Sequence, residues 1–157
     1  MNIFVLDTDP TIAARMQCDR HVVKMTLETA QMLSTAINEL GGQAPYKSAH
    51  INHPCSVWAR ESLGNFLWLY EHGIALAAEY TKRYGKVHKS QAVIEECIEK
   101  MKLLPLYNLN RTAHPLCMPD QYKCDDAVEA YRRLYIEDKS RFAQWNKTTR
   151  PPSWWPE

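Results

Sequence analysis

Apolar positions recur at three-and-four spacing over most of the chain, and strict alternation is absent. The first run departs from this. Asn2-Ile3-Phe4-Val5-Leu6 is too short for a helix and reads as an extended segment. Asp7-Thr8-Asp9-Pro10 stops it, with Asp9 placed to cap a helix and Pro10 to begin one. A short helix over 11–17 follows, then a long one over 21–40 that Gly41-Gly42 ends. Residues 43–53 are polar and loop-like. Helical spacing resumes over 54–84, where Gly64 and Gly73 are expected to divide it into two or three pieces. Residues 89–104 form an amphipathic helix, with Ile94, Cys97, Ile98 and Met101 on one face and Glu95, Glu96 and Glu99 on the other. Prolines 105, 115 and 119 mark a loop over 105–123, and a last long helix is expected over 125–145. That helix has acids first and bases later, in keeping with the helix dipole. The pattern predicts a mainly α, compact, single-domain helical fold with three main long helices and a short extended N-terminus.

The helix at 21–40 carries an unusual stripe. His21, Lys24, Glu28, Gln31 and Thr35 share about 80° of arc at 100° per residue. Apolar residues cover most of the remainder: Met25 and Met32 flank the stripe, followed by Val22, Val23, Leu27, Leu33 and Ile37. A helix apolar over that much of its circumference is central to a fold, so its stripe faces water or a cleft. On a solvated face Lys24 and Glu28 are an ordinary i,i+4 pair. In a cleft they form a site with His21. There, imidazole transfers protons near neutrality, a carboxylate steadies a cation, and a partly desolvated amine attacks an electrophile.

Composition narrows the classes of function. The chain has 157 residues, 45% hydrophobic, and only 5 glycines, which leaves no Gly-rich phosphate loop and disfavours a turn-rich sandwich. Nineteen Lys and Arg against 18 Asp and Glu exclude a polybasic arm as the whole basis of any nucleic-acid binding. The charges are segregated, however. Bases gather at 82–89 and 132–150, and acids at 95–99 and 120–129. Five cysteines without paired spacing favour a reduced, cytoplasmic setting. No run is long enough to span a membrane, and Met1–Leu6 is too short for a signal peptide.

Other groupings carry less chemistry. His50-x-x-His53-x-Cys55 has ligand-type residues but no second cluster at zinc spacing, so it reads as a polar loop and no metal or cofactor is expected. Trp58 and Arg60 could stack on a base and grip a phosphate, although the apolar neighbours of Trp58 favour the core. Lys82, Arg83, Tyr84, Lys86, His88 and Lys89 form the strongest basic patch, suited to a phosphate backbone or a nucleotide phosphate, or else to a helix C-terminus. Asp120 to Asp126 is expected to cap the last helix. Trp154-Trp155 is expected to pack back on the fold or to offer a stacking surface.

Asp19-Arg20-His21, with Glu28 seven residues after the histidine, resembles the catalytic-helix pattern of the phage pyrimidine-dimer DNA glycosylases of the endonuclease V type. The stretch from Pro54 to Lys82-Arg83-Tyr84-Gly85 looks like that family's central helix with its basic turn, and Arg150-Pro151-Pro152-Ser153-Trp154 is similar to its C-terminal tail. The resemblance implies an all-α enzyme of about three main helices. It would cleave the glycosidic bond of a damaged pyrimidine and nick the abasic site through a Schiff base, expelling a base from the stack. It implies an N-terminal amine as nucleophile, Glu28 stabilising the cationic intermediate, His21 beside it, and Lys and Arg on phosphates.

Two features depart from that pattern. Asn2 is large enough to leave Met1 in place, and Asp7-Thr8-Asp9-Pro10 lengthens the run before the catalytic-type helix. Both argue against an N-terminal amine at the site and point to Lys24 as the alternative nucleophile. The modest net charge favours a second class of function: a non-catalytic phage protein that sequesters a small nucleotide immune signal, cyclic or ADP-ribose-like, through Lys24, Trp58, Arg60, Arg83 and His88. The partner is thus DNA or a small nucleotide, with no membrane involved and the oligomeric state left open.

Overall fold

In a computed structural model, which describes residues 1–157, six α-helices follow the extended segment: α1 (Pro10–Met16), α2 (Asp19–Glu39), α3 (Pro54–Glu61), α4 (Leu63–Tyr84), α5 (Gln91–Met101) and α6 (Ala127–Asp138). There is no strand, and no helix is long and apolar enough to cross a membrane. The mainly α expectation holds, although only α2 and α4 exceed twenty residues.

Local chemistry accounts for most helix ends. The Asp9 carboxylate accepts from the Thr11 and Ile12 N–H groups, the Ser62 hydroxyl from Asn65 N–H, and the Asp126 carboxylate from Val128 and Glu129 N–H. Gly85 closes α4 at φ 72°, where a side chain would be strained.

Two boundaries differ from the expectation. The break within 54–84 falls at Ser62, while Gly73 lies inside an unbroken α4. A Cβ at Gly73 would come within 2.7 Å of Thr29 Cγ2, so the glycine lets α4 press against α2. The last helix stops at Asp138, followed by a 3-10 turn over Lys139–Arg141, and does not reach Trp145. Beyond the turn the chain doubles back. Trp145 is buried with its indole N–H on Met16 O, the Asp19 N–H donates to Gln144 O, and Asn146 N–H donates to Asp19 Oδ2. A straight helix would have carried these residues away along its axis.

One cluster of buried apolar side chains extends from Ile3 to Trp145. Helix α2 sits at its centre, packed against α3, α4 and α5, while α1 packs on α4. Val23 and Leu27 emerge partly exposed on α2, so its apolar surface is not fully covered. Trp154 and Trp155 are half-buried against Tyr135, as packing back requires.

Candidate active site

The extended N-terminus is held along its length. Ile3, Phe4, Val5 and Leu6 are buried. The Asn2 amide donates to Cys117 O at 3.0 Å, and its Oδ1 accepts from the Tyr131 hydroxyl at 2.7 Å. This anchoring brings the α-amine of Met1, whose side chain is 2% exposed, to 3.0 Å from Glu28 Oε1. The expectation that the amine lies away from the site is therefore corrected. The extra residues Asp7–Asp9 lie beyond the buried segment and lead into α1, so their length is taken up away from Glu28.

Glu28 is 7% exposed in the middle of α2, and its Oε2 has no hydrogen-bond partner. Lys24 Nζ lies 3.8 Å from that oxygen, with its side chain two-thirds exposed. An ion pair at that distance and exposure is weak. A buried carboxylate oxygen left without a donor is costly, and among the four buried side-chain atoms that lack a partner it is the one that belongs to an acid.

His21 serves this corner by packing. Its ring stacks on Phe4 at 4.3 Å, and Nδ1 lies 2.6 Å from the Tyr135 hydroxyl. That hydroxyl accepts from Cys18 N–H at 3.3 Å, and of the two acceptors within reach of its proton, His21 Nδ1 is much closer than Cys18 Sγ at 3.7 Å. Burial, with Lys139, Lys24 and Arg20 nearby, lowers the His21 pKa to about 3. The imidazole is neutral at pH 7 and holds Phe4, and with it the N-terminus, in place.

Around the amine and carboxylate is a cavity of about 310 Å³ whose lining includes Arg20, Lys24, Lys139, Arg141 and Phe142. Arg20 stacks over the Phe142 ring at 4.7 Å. The cavity therefore pairs a buried carboxylate with four cations. Two depressions about twice that size, about 620 and 630 Å³, lie elsewhere; the first sets Lys82 Nζ 4.0 Å from Glu79, but neither is lined by the α-amine. Further along the stripe, Gln31 is half-buried and Thr35 is closed over by Ala49, whose N–H donates to its hydroxyl.

The other expected binding residues are placed differently. Trp58 is buried in the core with its indole N–H on Thr112 O, so it is no exposed stacking platform. Arg60 folds back on Ser56 O. Arg83 is buried among Glu79, Asp19 and backbone carbonyls, and is unavailable to a phosphate. Tyr84 donates to Asp19 O, and His88 contacts Val23 O. Lys82, Lys86 and Lys89 are exposed, but none of the 82–89 residues lines the Glu28 cavity.

Sequence reasoning missed Lys139 and Arg141, which the turn after α6 brings to α2, and Tyr135, which α6 itself sets against His21. It also missed Cys117. Its sulfur lies 3.6 Å from Cys55, and His53, Cys55 and Cys117 place potential ligand atoms within 4.8 Å of one another.

No curated protein and no solved structure matches the chain. A family model described as pyrimidine dimer DNA glycosylase matches residues 1–93, more than half of the chain and enough to include Met1, His21, Glu28 and all of α4. The chain belongs to the pyrimidine dimer DNA glycosylase family, and DNA is the partner that membership implies.

Proposed function

We propose that this protein is a DNA glycosylase with abasic-site lyase activity on damaged or modified bases, that Met1 supplies the nucleophile, and that Glu28 supplies the stabilising carboxylate. The observation that carries this reading is the 3.0 Å approach of the α-amine to a buried carboxylate whose other oxygen is unpaired. The amine in its free-base form attacks C1′ of the sugar. The glycosidic C–N bond breaks, and the base leaves with the bonding electrons and takes up a proton. Opening of the sugar ring gives an iminium cation, against which Glu28 places its negative charge. Loss of a C2′ proton then expels the 3′ phosphate, and water releases the enzyme from the product. Arg20, Lys24, Lys139 and Arg141 match the phosphates on either side. We also read residues 1–157 as one working domain, a reading supported by the single hydrophobic cluster.

Borohydride trapping on a duplex with one abasic site, followed by peptide mass mapping, tests the assignment. The expected adduct is on Met1, is lost when the α-amine is acetylated, and persists in Lys24→Ala at no less than half its yield. An adduct on Lys24, or none on any lesion-bearing duplex, overturns the reading. Saturable stabilisation by small nucleotides with no adduct would support nucleotide sequestration instead.

A further inference from the structure

A second group of reactive side chains lies against the N-terminal segment, and the glycosylase chemistry makes no use of it. Cys55 is buried in the first turn of α3. Cys117 comes from the long loop between α5 and α6 and is only partly buried. Their sulfurs stand 3.6 Å apart. His53 caps α3, with its Nδ1 accepting from the Cys55 N–H at 3.1 Å, and is also partly exposed. We propose that His53, Cys55 and Cys117 form a binding site for a soft divalent cation, with zinc(II) the ion their chemistry fits best.

The distances favour a metal over the obvious alternative. Two thiolates on one tetrahedral zinc, each at about 2.3 Å, lie roughly 3.7–3.8 Å from each other. The observed 3.6 Å already satisfies that spacing. A disulfide requires about 2.05 Å, so the sulfurs would have to close by about 1.5 Å between a helix and a loop that are each tied down. The imidazole must close by about 1 Å from the 4.8 Å limit of the cluster, within reach of a side chain on the open side of the site. Two sulfurs and one imidazole nitrogen are the donor set that selects zinc over magnesium or calcium. His53 and Cys117 give the ion a path from solvent. Binding expels the two thiol protons to water and changes no oxidation state, so no further reactant is needed.

The site has a structural consequence. The Cys117 carbonyl holds the Asn2 side chain, and the Cys117 N–H donates to the Tyr131 hydroxyl, which in turn holds Asn2 Oδ1. A metal joining Cys117 to α3 clamps the loop that positions the N-terminus. Its residues are distinct from the amine and carboxylate, so the site stands or falls separately from the proposed reaction.

The test uses the full chain, reduced and stripped of metal, titrated with cobalt(II) and then zinc(II). One equivalent of cobalt should produce a sulfur-to-metal charge-transfer band and the intense visible bands of tetrahedral cobalt, and zinc should abolish both. Zinc should also raise the melting temperature. Cys117→Ala, in a partly exposed loop, should weaken binding by at least about tenfold, whereas Cys124→Ala, outside the cluster, should leave it unchanged. Any of three results overturns the proposal: no charge-transfer band, bands that survive in Cys117→Ala, or peptide mapping that finds Cys55 and Cys117 joined as a disulfide in the air-exposed protein.

Discussion

Helix α2 carries two buried carboxylates, and their surroundings are finished differently. Asp19, at its first residue, faces Arg83. That guanidinium donates from Nε to Glu79 at 3.1 Å, from Nη1 to Gln17 O at 2.7 Å and to Asp19 Oδ1 at 3.2 Å, and from Nη2 to Arg15 O at 3.0 Å. Asn146 N–H takes the other Asp19 oxygen at 2.8 Å. Nine residues on, Glu28 has one close partner, the Met1 amine, and an oxygen with none. The cations near it line the same cavity but have other partners, Arg20 stacking on Phe142 and Lys139 pairing with Asp138 at 2.9 Å. The first cluster ties α1, α2, α4 and the C-terminal loop together and leaves nothing for a ligand to take. The second leaves part of its hydrogen-bonding capacity open inside a cavity. Neither buried charge nor an unpaired atom alone marks the candidate site, since Gln17 Oε1, Ser56 Oγ and His114 Nδ1 are also buried without partners; Glu28 differs in joining an unpaired carboxylate oxygen to an amine inside a cavity.

Breaking the saturated cluster should have the largest effect on stability. Arg83→Ala leaves Asp19 and Glu79 buried without their cation and should destabilise by about 3–5 kcal/mol, read from urea unfolding. A loss under about 1 kcal/mol would show that the network is not structural. At the open cluster the effect should fall on activity. Glu28→Gln is expected to cut borohydride trapping and strand nicking about a hundredfold, roughly 2.7 kcal/mol of barrier, with the melting temperature shifted by only a few degrees. Equal losses of stability in the two variants would erase the distinction between them.

Acid should sharpen the comparison with a smaller effect per group. Burial keeps His21, beside the open cluster, at a pKa of about 3. It keeps His72, whose ring meets the Gln17 amide nitrogen, at about 4, and His114 at about 3. These values lie below the usual 6.5, so the unfolded chain takes up protons that the folded chain refuses. Stability is complete above about pH 6.5 and falls as pH drops towards 4, by up to about 1.4 kcal/mol per pH unit for each histidine. Melting temperatures at pH 7, 6 and 5 should decline, and His72→Gln should flatten part of that decline. A constant melting temperature over this range would contradict the burial of these rings as neutral imidazoles.

Much of the molecule could be read along the chain. Helical spacing, the caps at Asp9 and Asp126, and the stop at Gly41-Gly42 are local effects that neighbouring residues settle among themselves. The polar stripe was also legible, because a period of 3.6 places His21, Lys24 and Glu28 on one face without reference to the rest of the fold. Gly73 was misread for the same reason. A glycine in a helix looks like a break until the neighbouring helix, here Thr29 on α2, shows that a close approach was needed. Arg83 and Trp58 look like binding residues in sequence, and only their burial among carboxylates, carbonyls and core side chains removes them from that role.

The sequence by itself determined the helices, the stripe and the family-like spacing of His21 and Glu28. Only the tertiary structure decided which amine meets Glu28. The outcome rests on hydrogen bonds from Asn2 to Cys117 and Tyr131, more than a hundred residues away, and on Phe4 stacked against His21. It likewise brought Cys117 to Cys55 and turned Lys139 and Arg141 toward the cavity. Periodicity reports what lies on one face of one element. Contacts between distant segments depend on how all the apolar faces are buried at once, and no local pattern carries that information.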